Sequence, residues 1–313
     1  MDERSLEVIQ SHDLVPGTNI FRMEHLLAGQ LTESSIAMYK RDVADYTDFA
    51  EQSDYDALDP ITLAKWRDHL SLETYMSPHT INRMMSAVKR LVKEAALRKM
   101  IDTGLRVAFA DVPGVKVKAL KSRLKQHSRT RIAPEDMRRL CNAPDTSTDI
   151  GARDAAILAL LASSGIRASE AATLTLSQIE KRGRGYVVKV CGKTDTEYRD
   201  AHLSPEAYRL INEWVQRRPT LSNFIFTSFS TRGRLPSCEH LSEAAVWSIV
   251  RHYANQCGLQ YVKPHDFRRF VGTQLAKKDI RKARLALGHK SIEVTAKHYV
   301  LDELEVGLTD ELY

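Results

Sequence analysis

Cysteine is scarce in this chain: four residues in 313, Cys141, Cys191, Cys238 and Cys257, far apart and with no C-x-x-C pair. That spacing argues against a zinc ribbon and supplies no disulfide framework, so reduced thiols in a cytosolic protein are expected. Long apolar runs are also missing. No stretch reaches the roughly 18 residues that a membrane span requires. The first thirty residues lack the basic-then-apolar pattern of a secretion signal. Neither a G-x-x-x-x-G-K-[ST] loop nor a carboxylate-rich metal motif occurs, so neither ATP nor a metal is expected as cofactor. Internal repeats and low-complexity tracts are absent as well.

What is present describes a globular chain of about two domains, with 43% hydrophobic and 27% charged residues. The formal net charge of +6 permits nucleic-acid binding without establishing it, so the placement of the cations matters more than their number. Residues 1–24 read as a loosely held arm. Residues 25–112 read as a small all-helical domain. One helix carries the stripe Ser35, Ile36, Tyr39, Val43, Tyr46 and Phe49, at the spacing of one helical face. A second runs from Asp59 or Pro60 through Leu70. A third opens at Ser77-Pro78, a cap followed by proline, and buries Ile81, Met84, Met85, Val88, Leu91, Val92 and Ala95. Its other face shows Arg83, Lys89, Arg90 and Lys93, which are candidate DNA contacts.

Residues 113–130 change character and read as a basic linker. Lys116, Lys118, Lys121, Arg123, Lys125, Arg129 and Arg131 follow one another with no acid between them. Pro113, Gly114 and Ser122 favour an extended rather than a packed segment. Such a run is a solvated connector or a strap along a phosphate backbone. From 131 to 313 the reading is mainly helical with a small β-hairpin, an α+β domain. Residues 153–164 are apolar around most of a helix that Gly165 ends, so this helix is expected at the centre of the core. Strands at 186–191 and 198–203 flank a turn at 192–195.

Four stretches of this second domain carry residue types suited to chemistry. They are GIRASE at 165–170 with Arg167, the hairpin turn with Lys193, PHDFRRF at 264–270 with His265 and Arg268, and LGHKSIEVTAKHYV at 287–300 with His289 and Tyr299. Singly, each has an ordinary explanation: an ion pair of Arg167 with Glu170, a solvated turn lysine, polar residues on a helix face, a packing tyrosine. In this order they resemble the tyrosine recombinase (phage integrase) family. The resemblance covers 131–300 by motif order and extends more weakly to 25–110, which looks like that family's helical core-binding domain.

The resemblance implies a C-shaped DNA clamp and a site-specific recombinase or integrase, of a phage or other mobile element, working through a 3′-phosphotyrosine. Arg167 and Arg268 would clamp the non-bridging oxygens of the scissile phosphate. Tyr299 would be the nucleophile, His265 would assist its deprotonation, Lys193 would protonate the leaving 5′ hydroxyl, and His289 would hydrogen-bond the phosphate. Lys116, Lys118, Lys121, Arg123 and Lys125 would join the first domain's cations on the DNA backbone. The expected partners are double-stranded DNA with short inverted recombination sites, a homotetramer on two duplexes, and accessory DNA-bending or directionality proteins. The chain would work in the cytoplasm at the nucleoid, with its tail, Leu301–Tyr313, docked on a neighbour.

Two features depart from the family pattern. Tyr299 lies one residue later than usual after the second histidine, and His298 holds the usual place. Family members often carry valine-proline where this hairpin reads Arg199-Asp200-Ala201-His202-Leu203, a difference given little weight. The short N-terminal arm favours a simple Xer- or Cre-like architecture. The competing readings are a type IB topoisomerase, a telomere resolvase, and a catalytically inactive DNA-binding relative.

Overall fold

A computed structural model describes residues 26–123, 131–191, 197–218, 222–229, 236–289 and 291–299. The chain divides into two compact units, Met1–Gln126 and His127–Tyr313.

The first unit is helical: α1 (Glu33–Gln52), α2 (Pro60–Leu72), α3 (Pro78–Leu97) and α4 (Thr103–Asp111). Short side chains start these helices. The Asp59 carboxylate accepts from the Ile61 amide and the Ser77 hydroxyl from the Thr80 amide, each with proline in the first helical position. The apolar stripes then meet. Val43 and Tyr46 of α1, Leu63, Trp66 and Leu70 of α2, and Ile81, Met84, Met85, Val88, Leu91, Val92 and Ala95 of α3 are buried in one cluster. Tyr46 and Trp66 sit with ring centroids 5.1 Å apart, and the Tyr46 hydroxyl donates to the Ala57 carbonyl at 2.8 Å.

The basic segment after α4 corrects an expectation. Up to Arg123 it is packed on the helical unit rather than extended. Asn82 of α3 accepts from the Val115 amide at 2.7 Å and donates to its carbonyl at 2.9 Å. Val117–Arg123 forms two short 3-10 turns joined at Leu120, and Leu120 and Val115 rest against the core. Two apolar residues, Val115 and Leu120, anchor the segment among its cations, which counting cations hides. Lys125 and Arg129 lie outside the described residues.

The second unit builds around α6 (Asp149–Ser164), preceded by α5 (Pro134–Cys141) and followed by α7 (Ala168–Ala172). Ala155, Ala156, Ile157, Leu158, Leu160 and Leu161 of α6 are buried, as their near-continuous apolar sequence predicts. Strands β1 (Ile179–Arg182), β2 (Gly185–Val190) and β3 (Arg199–Leu203) form an antiparallel sheet in that order. Val188 pairs with Ile179 on one side and Ala201 on the other. The expected hairpin is β2–β3, and β1 extends it. Helix α8 (Pro205–Arg217) packs on α6, and its buried Trp214 donates from Nε1 to the Ile225 carbonyl at 2.9 Å. A second small sheet pairs β4 (Thr227–Phe229) with β5 (Pro236–His240). Helices α9 (Glu243–Gln256), α10 (Pro264–Lys278), α11 (Ile280–Leu287) and α12 (Ile292–Tyr299) complete the described chain. No described helix is long and apolar enough to cross a membrane.

Candidate active site

Two glycines in the left-handed region set the site. Gly165 ends α6 at φ +64° and Gly288 ends α11 at φ +65°. A side chain at Gly165 would meet the Val271 Cβ of α10 at 3.0 Å, so this turn packs directly on α10. Two residues on, Arg167 is the N-cap of α7. Its backbone amide donates to the Glu170 Oε2 at 2.7 Å, and its guanidinium donates to Oε1 at 2.7 Å. Glu170 therefore both caps α7 and pairs with the arginine that starts it.

A third side chain closes on the same carboxylate. Arg199, the first residue of β3, donates to Glu170 Oε1 at 3.0 Å and to Oε2 at 2.8 Å, a fork across both oxygens. Burial pushes the Glu170 pKa up, but the hydrogen bonds and charge of Arg199, then the backbone and side-chain hydrogen bonds from Arg167, outweigh it and hold the carboxyl below its usual range. Arg199 also reaches α11: its Nε donates to the Ala286 carbonyl at 3.4 Å, and a side chain at Gly288 would lie 2.5 Å from its Cδ.

Arg268, on the second turn of α10, is fully buried and joins the two glycine turns. It donates to the Gly165 carbonyl at 3.0 Å and, through its other terminal nitrogen, to the Leu287 carbonyl. The contacts form a closed circuit: Arg167 to Glu170, Glu170 to Arg199, Arg199 to the end of α11, that end to Arg268, and Arg268 back to the turn before Arg167. Residues about a hundred positions apart in sequence are thus held on one frame.

The histidines sit on its edges. His265, in the first turn of α10, is exposed. The preceding Lys263 amide is capped by Asp266 at 3.0 Å. His289 follows Gly288, with its amide bonded to the Arg284 carbonyl at 3.1 Å. Its Nδ1 lies 3.0 Å from the Oγ1 of buried Thr295, and that hydroxyl donates to the Ser291 carbonyl. Tyr299 is the last residue of α12. The side chains of Tyr299 and His298 lie outside what the structure describes, as does Lys193.

The sequence reading brought Arg167, Arg268 and His289 to one place but missed Arg199. A signal was available. Arg199, Ala201 and Leu203 alternate onto one strand face, and the latter two are apolar. A cation on that face needs a buried acid, and Glu170 is that acid.

The cations expected on DNA divide into groups. In the first unit Arg83 pairs with buried Asp42, and Lys89 donates to the carbonyls of Ala110, at 3.1 Å, and Val112. Arg90 donates to Gln30 at 3.1 Å and Arg123 to the Ser71 carbonyl at 2.7 Å. Lys93, Lys116, Lys118 and Lys121 are exposed. Among the described residues no three His, Cys, Asp or Glu side chains are grouped to hold a metal ion.

Comparison with known proteins adds the following. The sequence model described as the Phage integrase family matches residues 130–304, and that of the phage integrase N-terminal SAM-like domain matches 23–99. The chain is 31% identical over 173 residues to tyrosine recombinase XerD of Neisseria meningitidis serogroup B, a match over 53% of this chain and 56% of that relative. It thus spans little more than half of that relative's length. It is 27% identical over 278 residues to tyrosine recombinase XerD of Vibrio cholerae serotype O1, covering 85% of each chain. The fold is similar to that of XerH site-specific recombinase bound to palindromic difH substrate, with TM-score 0.69 and 18% identity over 89% of this chain and 80% of that one. It is also similar to a lambda integrase dimer bound to a core site, with TM-score 0.62 and 16% identity over 90% and 93% of the two chains.

Proposed function

Because this chain belongs to the phage integrase family, we propose that it is a site-specific tyrosine recombinase that cleaves and rejoins DNA through a 3′-phosphotyrosine. The observation that carries the reading is the circuit fixing Arg167 and Arg268 on one frame. Two guanidinium groups so held suit the non-bridging oxygens of a phosphodiester, where charge grows in the transition state. A buried carboxylate holds Arg167 and two backbone carbonyls hold Arg268, which fixes where each guanidinium sits.

In this reading the Tyr299 phenol oxygen attacks phosphorus and the bond to the 5′ oxygen breaks. The phenol proton passes toward His265, and the leaving 5′ hydroxyl takes its proton from Lys193. His289, oriented by Thr295, hydrogen-bonds the phosphate. The phosphotyrosine conserves the energy of the broken bond, so attack by a 5′ hydroxyl of another strand rejoins DNA without ATP. The DNA would carry short inverted sites. Four copies on two duplexes would complete the exchange, with accessory bending or directionality proteins where the element requires them. A phage or other mobile element in a bacterial cytoplasm is the proposed setting.

A nicked suicide duplex carrying the inverted repeat that the protein selects from a randomised pool tests this. A covalent adduct mapped to Tyr299, and lost in Tyr299→Phe and Arg167→Ala, is the expected result. The position of Tyr299, one residue later than the family's usual place, favours a second reading, an inactive site-binding relative. One residue on a helix turns a side chain by about 100°. Tight site binding with no adduct on any tyrosine would select that reading.

A further inference from the structure

We infer that the outer face of α2 is a pairing surface for a second copy of this chain, with the two helices antiparallel about a two-fold axis. The inference does not depend on the recombinase reading.

Helix α2 turns Leu63, Trp66 and Leu70 inward to the core of the first unit. Its other side carries Ile61, Lys65, Asp68 and Leu72, all exposed. Their spacing of four, three and four residues keeps them on one seam, the spacing at which paired helices meet. Single exposed apolar side chains are ordinary, but here they gather along one stripe. Ile61 is 62% exposed, Leu72 80%, and Tyr75, just past the end of the helix, 98%. The latter two are the most exposed large apolar side chains among the described residues. The charged members make local surface contacts: Lys65 lies 3.7 Å over the Tyr55 ring, and Asp68 pairs with Arg67 at 2.7 Å. Exposed contacts of this kind contribute little and yield to a better-placed partner.

The seam is self-complementary in one orientation. Ile61 and Leu72 lie equally far on either side of the point between Trp66 and Arg67, and so do Lys65 and Asp68. Two antiparallel copies crossing at that point set Ile61 against Leu72 of the second copy and Lys65 against its Asp68, and each contact is made twice. A parallel pair would set lysine against lysine and aspartate against aspartate. The charges therefore choose the orientation, as polar residues within a helix seam do. The helix has 13 residues and is about 20 Å long. A contact of that size is small, so the pair should be weak, with a Kd on the order of 10–100 μM, and should gain where copies are already held close together.

Sedimentation equilibrium of the 313-residue chain without DNA, from about 1 to about 500 μM, tests this. A monomer–dimer equilibrium is expected. Lys65→Glu and Asp68→Lys should each weaken it about tenfold or more, because like charges then meet twice in every dimer. Leu72→Ser, which removes apolar contact at both ends of the pair, should also weaken it about tenfold. The double charge swap, Lys65→Glu with Asp68→Lys, should restore the wild-type Kd within about threefold. An equimolar mixture of the two single charge variants should form a mixed dimer, since opposite charges then face each other at both crossings. Restoration by the double swap separates the interface from any effect on folding. A monomer at every concentration, a dimer that the single variants leave unchanged, or a double swap no tighter than either single variant overturns the inference.

Discussion

Arg268 donates to the Gly165 carbonyl at 3.0 Å, and Gly165 lies two residues before Arg167. The two arginines proposed to clamp one phosphate are therefore registered to each other through the backbone turn that carries Arg167. The other arm of Arg268 holds the Leu287 carbonyl, so its fork also fixes the turn that carries His289. Arg268→Lys keeps the charge but loses the fork. Its cleavage rate should fall about 100-fold, as expected for misplaced transition-state donors. Arg268→Ala leaves two carbonyls without this donor and should also lose about 1–3 kcal/mol for each that stays dry. Single-turnover cleavage and denaturant melts check the two effects separately.

Gly288 and Gly183 offer a matched pair for the close approach of Arg199. Both sit at positive φ, +65° and +58°, but a side chain at Gly183 meets nothing within 4 Å, whereas one at Gly288 meets Arg199. Gly183→Ala should cost about 1 kcal/mol for the left-handed backbone alone. Gly288→Ala should cost more, and should also slow cleavage because Arg199 must shift. Thermal melts of the two variants provide the comparison. Equal losses would mean that Arg199 gives way freely.

The cations of the first unit should divide by partner. Replacing Lys116, Lys118 and Lys121 with alanine should weaken binding to all duplexes alike. The slope of log affinity against log salt should fall by about one for each phosphate that is no longer neutralised. Arg83→Ala should act on stability instead. It leaves Asp42, whose pKa burial already raises against the pull of Arg83, without its cation. A loss of about 1–3 kcal/mol is expected, below that of a fully buried pair because Arg83 is 35% exposed. Salt titrations and melts of the two variants would show whether the groups separate.

Glu170 should leave a signature in acid. Its pKa in the folded chain lies below its ordinary value of 4.5, despite the opposing effect of burial, because Arg199 and Arg167 favour the ionised form. The unfolded chain then binds the proton more readily, so the group contributes stability above pH 4.5 that is lost as pH falls through the lower folded pKa. Glu170→Gln does not titrate. The stability gap between wild type and this variant should narrow as pH drops below about 4.5 and stay flat above about pH 6. Denaturant melts from about pH 3 to about pH 7 measure it, and a constant gap would contradict the assigned ion pairs.

The helices were legible because their burial is periodic. Ile81, Met84, Val88, Leu91 and Ala95 recur at helical spacing, and all are buried. Residues 153–164 are apolar on nearly every side, and most of that helix is buried. Strand β1 was not legible, because Ile179-Glu180-Lys181-Arg182 has one apolar residue and takes its place from pairing with β2. The docking of 113–123 escaped for a related reason: Asn82, more than thirty residues earlier, supplies the bonds. At the site, Arg167 stood out as an arginine directly after a buried helix, and Arg268 by its place in the motif order with His265. The partners of Arg268 are the Gly165 and Leu287 carbonyls, and a carbonyl leaves no mark in residue type. Arg199 lay in view within an alternating strand, but its partner Glu170 is close only in the fold.

Formation of the covalent adduct is the central measurement. The 313-residue chain would be incubated with the nicked suicide duplex bearing its selected inverted repeat, and any protein–DNA species digested and mapped by mass spectrometry. The account predicts a phosphotyrosine at Tyr299 that disappears in Tyr299→Phe, with site binding retained. Tight, specific binding with no adduct on any tyrosine would contradict it.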